Sequence, residues 1–227
     1  KKYKINIKNI STVGSLRLAN FLNNYKHDIQ KKKYDICLLS EYNAWQNIIN
    51  NVNVNDVINV EASYINLVKY LIKFSKNYNL KFILAFKRRN GTQDHLNEMK
   101  WFKKNFSFSE YNFLIKNSLK NTLYSSYKVS FKSEVTVGMY STLLREILSC
   151  NQKILSCNLS QSKIYSFPID GICKIDSCNY KDFKKRLELI LKINRFDYFK
   201  KIKEKIKKIM PTTNPDETFK KIRALLI

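Results

Sequence analysis

The fold is decided by residues 133–158, which have the sequence SEVTVGMYSTLLREILSCNQKILSCN. The first part of this stretch, up to Gly138, is rich in β-branched residues and is typical of a buried strand. A tight turn follows, and Ser141 is a good N-cap for a helix that begins at Thr142. A second apolar run begins at Lys153. Strand, helix and strand in this order predict a βαβ unit with parallel strands.

The same alternation extends along most of the chain. Short apolar runs predict strands at residues 35–39, 81–86, 111–115, 134–139, 153–157 and 171–175. Amphipathic stretches predict helices at residues 15–30, 62–78, 93–105, 121–131 and 142–150, a nearly continuous helix over 179–210 and a last one over 216–227. Residues 47–55 are rich in Asn and predict a loop.

These elements predict an α/β fold with a doubly wound, mostly parallel sheet of the Rossmann-like type and a helical C-terminal tail. We expect an incomplete N-terminal flank at residues 1–33 and one Rossmann-like domain at residues 34–178. Residues 179–227 are expected to form helices that pack on the same domain.

Charge is the second feature of the sequence. The 227 residues include 42 Lys and Arg against 18 Asp and Glu, which gives a formal net charge of +24. Such a charge is typical of proteins that bind nucleic acid or an anionic membrane. However, 35 of the 42 basic residues are Lys, whereas Arg is favoured where phosphates or bases are bound by paired hydrogen bonds. We therefore interpret the charge mainly as a lysine-biased surface, and nucleic acid is not an expected partner.

Cysteine and histidine usage argues against a zinc site. The five cysteines have no paired short spacing, and the sequence holds only two histidines, His27 and His95. No Asp-x-Asp pair occurs either. We expect reduced thiols, no metal and no cofactor. No apolar run approaches the roughly 20 residues that a membrane span requires, and no secretory signal is recognised at the start of the sequence.

Two features suited to anions follow predicted strands. Ser141 and Thr142 begin a helix whose free amides and dipole favour phosphate at the carboxyl edge of a sheet. Glu146 lies one helical turn further and can accept two hydrogen bonds from a ribose diol, or it can be an exposed carboxylate paired with a lysine. The basic residues 87–89 follow the strand at 81–86, where they either clamp phosphate or form a solvated turn.

A family resemblance is carried by residues 38–45 (LLSEYNAW), 85–89 (AFKRR), 137–146 (VGMYSTLLRE) and 153–158 (KILSCN). These blocks resemble transferases of bacterial surface-carbohydrate biosynthesis, whose C-terminal half is a glycosyltransferase domain of the GT-B type. The resemblance covers most of residues 34–210. It implies that the domain at residues 34–178 binds a nucleotide-sugar donor, and that the sugar is transferred to a glycan or a lipid-linked acceptor in polysaccharide biosynthesis.

The resemblance also implies residue roles. Lys87, Arg88, Ser141 and Thr142 would bind the donor phosphates, and Glu146 would bind the ribose. Other roles follow from the residues themselves. Glu41 is the expected catalytic residue, ahead of the weaker candidates Asp94 and His95, because it lies at the end of a predicted strand; otherwise it anchors the loop. The neighbouring Tyr42 and Trp45 have aromatic faces that can stack on the sugar or the base. No metal is implied, since leaving-group charge would be compensated by helix amides and basic side chains.

GT-B enzymes place two domains face to face, so the resemblance implies that this chain is part of a larger enzyme, with the acceptor half upstream. A cytoplasmic location is implied, with peripheral and salt-reversible contact between the basic stretch at residues 200–208 and an anionic inner membrane face.

Two alternatives stay open. The first is a basic module that binds nucleic acid or an anionic membrane through residues 184–208. The second is a sugar-nucleotide epimerase, which needs acids and bases on both faces of the sugar. The sequence supplies few such residues.

Overall fold

The core of the fold is one parallel sheet. A computed structural model of the chain describes residues 14–25, 31–43, 54–119, 122–160, 162–206, 209 and 213–226. The strands in this part of the chain are β1 (Tyr34–Leu39), β2 (Phe82–Ala85), β3 (Ser133–Gly138), β4 (Lys153–Asn158) and β5 (Lys174–Asp176). They pair in the order β2-β1-β3-β4-β5, and every pair is parallel. The predicted α/β fold is confirmed.

Helices connect the strands and continue after β5. They are α1 (Leu16–Tyr25), α2 (Val54–Asn77), α3 (Gln93–Asn105), α4 (Phe108–Lys116), α5 (Ser125–Phe131), α6 (Thr142–Ser149), α7 (Tyr180–Lys192), α8 (Arg195–Lys200), α9 (Lys203–Ile206) and α10 (Pro215–Leu226). A short 3₁₀ turn covers Lys163–Tyr165. Most of the loop predicted at residues 47–55 lies outside the described residues.

Protein covers both faces of the interior strand β1. The residues from Ile36 to Leu39 are all buried, and neighbouring side chains of a strand point to opposite faces of the sheet. On one face, Cys37 Sγ lies 3.8 Å from the Ser130 hydroxyl of α5. At the end of the strand, the Tyr64 hydroxyl of α2 donates a 3.1 Å hydrogen bond to the Leu39 carbonyl. The sheet is therefore the middle layer of a doubly wound arrangement.

Helix α1 joins the same core, although it precedes the first strand. Phe21 is fully buried, and its ring lies 5.0 Å from that of Tyr127 and 5.4 Å from that of Phe131, both on α5. α1 also contacts α10. Part of the predicted flank at residues 1–33 thus packs on the sheet domain. The predicted domain boundaries themselves remain a prediction.

The strand predicted at residues 111–115 is wrong, because these residues belong to α4. A capping box begins this helix: the Ser107 hydroxyl accepts from the Glu110 N–H, and the Glu110 carboxylate accepts from the Ser107 N–H at 2.9 Å. The two reciprocal bonds satisfy amides that a helix start leaves free, so they favour helix over strand. Only after the helix does the chain reach the sheet edge, where Leu84 N–H donates to the Asn117 carbonyl at 2.7 Å.

The nearly continuous helix predicted over residues 179–210 is also wrong, because α7 ends at Lys192. Ile193 and Asn194 are extended, and the Asn194 side chain accepts from the Asp197 N–H at 2.8 Å, which caps α8. An Asn side chain competes in this way with the backbone of a continuing helix. The break turns α8 toward the sheet, where Tyr198 is fully buried.

No helix in the described part of the chain combines the length and the apolar composition needed to cross a membrane.

The Tyr198 hydroxyl completes the hydrogen bonding of β4, and this leads to a testable prediction. It accepts from the Ile154 N–H at 3.1 Å and donates to the Ile154 carbonyl at 2.7 Å, because β5 pairs with β4 only from Ser156 onward. We expect Tyr198→Phe to lower the free energy of unfolding by about 2–3 kcal/mol, since two buried backbone groups lose their partner. Urea unfolding measures this change.

The control is Tyr111→Phe on α4, a half-buried tyrosine for which the described residues offer no such pair of backbone partners. It should change the unfolding free energy by less than about 0.5 kcal/mol. Equal effects of the two substitutions would contradict the prediction.

Candidate functional site

The sheet has a topological switch point between β1 and β3. From β1 the chain passes through α2 to β2 on one side, and later places β3 on the other side of β1. In open parallel sheets, ligands bind outside the carboxyl ends of the strands at such a point. The residues that follow β1 and β3 therefore form the first candidate site.

A buried carboxylate lies at this switch point. Glu41 follows β1, is only 2 % exposed, and accepts hydrogen bonds from three consecutive amides after β3. The donors are the N–H groups of Met139, Tyr140 at 3.0 Å and Ser141 at 3.4 Å. Glu41 thus binds the amides of the turn before the helix, up to the cap residue Ser141, and these amides directly precede the helix amides for which the sequence predicts a phosphate.

Gly138 permits this close approach. A Cβ atom at position 138 would lie 2.7 Å from Glu41 Oε1, which is closer than atoms in van der Waals contact. Burial raises the pKa of Glu41 to about 6, and the hydrogen bonds from Tyr140, Met139 and Ser141 act in the opposite direction.

A second buried carboxylate holds the loop after β2. Glu98 of α3 is fully buried and accepts from the backbone N–H groups of Lys87 at 3.0 Å and Arg88 at 2.9 Å. The Ser40 hydroxyl, which follows β1, also donates to it. His95 Nδ1 lies 3.9 Å from Glu98 Oε2. Burial raises the pKa of Glu98 as well.

The sequence analysis missed Glu98, although a signal was present. Glu98 precedes Trp101 and Phe102 by three and four residues, so the carboxylate shares a helix face with two core aromatic residues. Both aromatic residues are buried. A carboxylate on the buried face of a helix requires donors, and here the loop amides supply them.

Above the two carboxylates, a chain of polar side chains spans the strand ends. The Lys87 amine donates to the Asn43 side-chain oxygen, and the Asn43 amide donates to the Tyr140 hydroxyl. The Tyr140 ring lies 5.0 Å from the ring of Tyr165. We call Glu41, Asn43, Lys87 and Tyr140 the switch-point site. Arg88 lies beside it and pairs with Asp94 at 3.5 Å.

Helix α6 begins at this site. The Ser141 hydroxyl accepts from the Leu143 N–H at 3.3 Å and therefore caps the helix, as predicted. Thr142 is exposed in the first turn. The structure thus brings together four of the predicted residues, namely Glu41, Lys87, Ser141 and Thr142.

Glu146 is directed elsewhere. Its carboxylate accepts from the Ser15 hydroxyl and from the Tyr127 hydroxyl at 2.6 Å, and these residues belong to the start of α1 and to α5. The side chain is half-buried. It therefore links two neighbouring segments of the core, and its predicted contact with a ribose remains a prediction.

The two predicted stacking residues differ in position. Tyr42 is only 7 % exposed, and its ring centroid lies 6.1 Å from that of Trp101, so protein covers most of the ring. Trp45 lies outside the described residues. The Tyr140 and Tyr165 rings, which the sequence analysis did not select, are half-buried at the same edge.

Comparison of this chain with known protein families, with characterised proteins and with solved structures finds no match. Across the described residues, no group of three or more His, Cys, Asp or Glu side chains is placed to hold a metal ion. The function must therefore be argued from the site.

The burial of Glu41 predicts a specific pH dependence of stability. Because the pKa of Glu41 is raised from 4.5 in the unfolded chain to about 6 in the folded one, the folded chain binds more protons between these values. The contribution of Glu41 to the free energy of unfolding therefore falls by about 2 kcal/mol as the pH rises from about 4.5 to about 6.

Urea unfolding of the wild type and of Glu41→Gln across this pH range measures the difference. The stability of the wild type relative to the variant should decline with rising pH. A difference that is independent of pH, or that grows with pH, would contradict the raised pKa.

Proposed function

We propose that this chain binds a nucleotide-activated sugar at the switch-point site and transfers the sugar, as a glycosyltransferase or as the donor-binding part of one. The acceptor in this proposal is a glycan or a lipid-linked glycan of bacterial surface polysaccharide. The single observation that carries the proposal is the hydrogen-bonded chain from Lys87 through Asn43 to Tyr140 across the carboxyl ends of β2, β1 and β3.

The first support is the chemistry of the exposed groups. Lys87 is exposed and carries its cation at the switch point, while Glu41 and Glu98 lie buried beneath it and bind backbone amides. Phosphate approaching from solvent therefore meets an ammonium group and neutral donors first. Partial desolvation lowers the pKa of Lys87, although the residue as a whole is exposed, and the neighbouring charge of Arg88 lowers it further. An anion between these two cations relieves their repulsion.

The second support is the set of hydroxyl groups beside the site. Ser141 accepts the capping bond through its oxygen, and its O–H can still donate. Thr142 is exposed one residue further. In the proposal both hydroxyls bind the donor phosphates, whereas the amides of residues 139–141 hold Glu41.

The third support is an aromatic surface of suitable size. Tyr140 and Tyr165 pack against each other next to the site and stay half-exposed. A nucleobase or a sugar ring stacks on such faces. In the proposal the phosphates lie over Lys87 and the base lies toward Tyr165.

Lys87 and Arg88 then act in the transfer itself. When the bond between the sugar and the phosphate breaks, negative charge develops on the nucleotide. Fixed cations within reach of that charge stabilise the transition state more than the ground state. The arginine is held by Asp94 and by the Glu98-bound loop, which fixes its position.

A nucleotide screen tests the proposal. CMP, CDP, UDP and GDP are added to the wild type in a thermal-shift assay, and any that raises the melting temperature is titrated by calorimetry. We expect one of them to bind saturably, and Lys87→Ala to weaken it by at least about tenfold, because a cation facing phosphate is lost.

The matched control is Lys185→Ala on α7, another exposed lysine. It should leave the affinity within about twofold of the wild type. Failure of all four nucleotides to bind would count against the proposal. If, instead, single-stranded nucleic acid or anionic vesicles bind with a steep dependence on salt, the net charge of +24 becomes the better guide to function.

A further inference from the structure

Glu98 has one acceptor position that its three hydrogen bonds leave open. An ionised carboxylate has about four lone-pair positions. The Ser40 hydroxyl and the Lys87 N–H bind Oε1, and the Arg88 N–H binds Oε2. The remaining position is on Oε2, and His95 Nδ1 lies 3.9 Å from that oxygen, just beyond hydrogen-bond distance.

The second group is Nδ1 of His95, which makes no hydrogen bond to another described residue. Nδ1 is buried, and among the described residues it has no hydrogen-bond partner within ordinary distance. The ring packs edge-on against Phe86, with centroids 5.1 Å apart and an angle of 86°. The Thr92 cap fixes the first turn of α3, on which His95 lies. The buried Nδ1 and the open position on Glu98 are therefore complementary when Nδ1 carries a hydrogen.

A hydrogen on Nδ1 leaves the lone pair of a neutral imidazole on Nε2. The His95 side chain is 11 % exposed, and since Nδ1 is fully covered, the exposed part lies elsewhere on the side chain. A histidine with one nitrogen beside a carboxylate and a lone pair on the other nitrogen is suited to accept a proton.

We propose that His95 accepts the proton of the acceptor hydroxyl in the reaction of this site, and that Glu98 is the residue that positions its ring. This proposal rests on the proposed function. The acceptor oxygen forms a bond to the anomeric carbon, and the bond from that carbon to the nucleotide phosphate breaks. The hydroxyl proton moves to His95 Nε2, and the electron pair of the broken bond leaves with the nucleotide.

The structure favours His95 over Glu41 for this step. Glu41 is 2 % exposed, and its carboxylate is bound by three amides that define the turn after β3. The charged groups near His95 are Glu98 on its own helix, Asp94 in the same helical turn, and Arg88 from the loop after β2. The positive charge that His95 gains on protonation is balanced most directly by Glu98.

The first test measures which nitrogen carries the hydrogen. The chain has only two histidines, so His27→Gln leaves His95 as the single imidazole. Two-bond ¹H–¹⁵N correlation spectra at about pH 8.5 distinguish the two neutral tautomers. We expect hydrogen on Nδ1. Hydrogen on Nε2, the tautomer that histidine prefers in water, would overturn the pairing with Glu98. This measurement leaves Glu98 itself unchanged.

Glu98→Gln in the same background tests the positioning role. Its amide replaces one carboxylate oxygen by a donor, so we expect the Nδ1 hydrogen to lose its fixed acceptor and the two tautomers to become mixed. An unchanged Nδ1 tautomer in a folded variant would show that Glu98 does not set the ring.

The second test measures the transfer step. The substrate is the nucleotide-sugar that carries the nucleotide identified by the screen, and the readout is release of that nucleotide with water as acceptor. We expect His95→Gln to lower kcat by at least about 100-fold with little change in nucleotide affinity. His27→Gln serves as the control. Full activity of His95→Gln would overturn the proposal.

The two tests separate the possible failures. If no nucleotide binds, the proposed function fails and the proton transfer fails with it, while the tautomer still decides whether His95 and Glu98 form a pair. If a nucleotide binds and turns over but His95→Gln is fully active, the proposed function stands and only the role of His95 is overturned.

Discussion

The site depends on the hydrogen bonds that the Glu41 carboxylate accepts from the three amides after β3. A buried carboxylate is costly unless donors surround it, and the consecutive N–H groups of the turn before α6 supply such donors. These hydrogen bonds join the ends of β1 and β3, which flank the switch point, and they set the path of the turn that carries Tyr140 and Ser141. The exposed part of the site is built on this buried layer.

Glu98 repeats the arrangement one strand away. Ser40 and Glu41 follow each other after β1, and one donates to the Glu98 carboxylate while the other accepts from the turn after β3. The loop ends of β2, β1 and β3 are thus connected by two internal carboxylates. Because their charges are satisfied by backbone amides, these carboxylates do not bind the cation of Lys87, which stays at the surface, while Arg88 pairs with Asp94. This division of roles links the stability of the sheet edge to the chemistry proposed for it.

Local signals predicted most of the fold. Strand and helix periods, the Ser141 cap and the βαβ order are properties of neighbouring residues, and they identified the parallel sheet correctly. The wrong predictions fall where a helix cap conflicts with the pattern of the residues around it. The capping box at Ser107 converted an expected strand into a helix, and the cap at Asn194 ended an expected long helix. Both caps are present in the sequence, beside aromatic and apolar patterns that favour a strand and a continuous helix.

Local sequence patterns are sufficient to specify the α/β class and to place Lys87, Ser141 and Glu41 at strand ends. Which groups meet there depends on long-range packing. Glu41 reaches the amide of Met139 across 98 positions of the chain, and Ser40 reaches Glu98 across 58, so no local period specifies either bond. A backbone N–H in such a turn donates equally well to a phosphate or to a side-chain carboxylate. The packing of α3 and β1 settled that choice, because it brings the carboxylates to the amides and leaves the lysine outside.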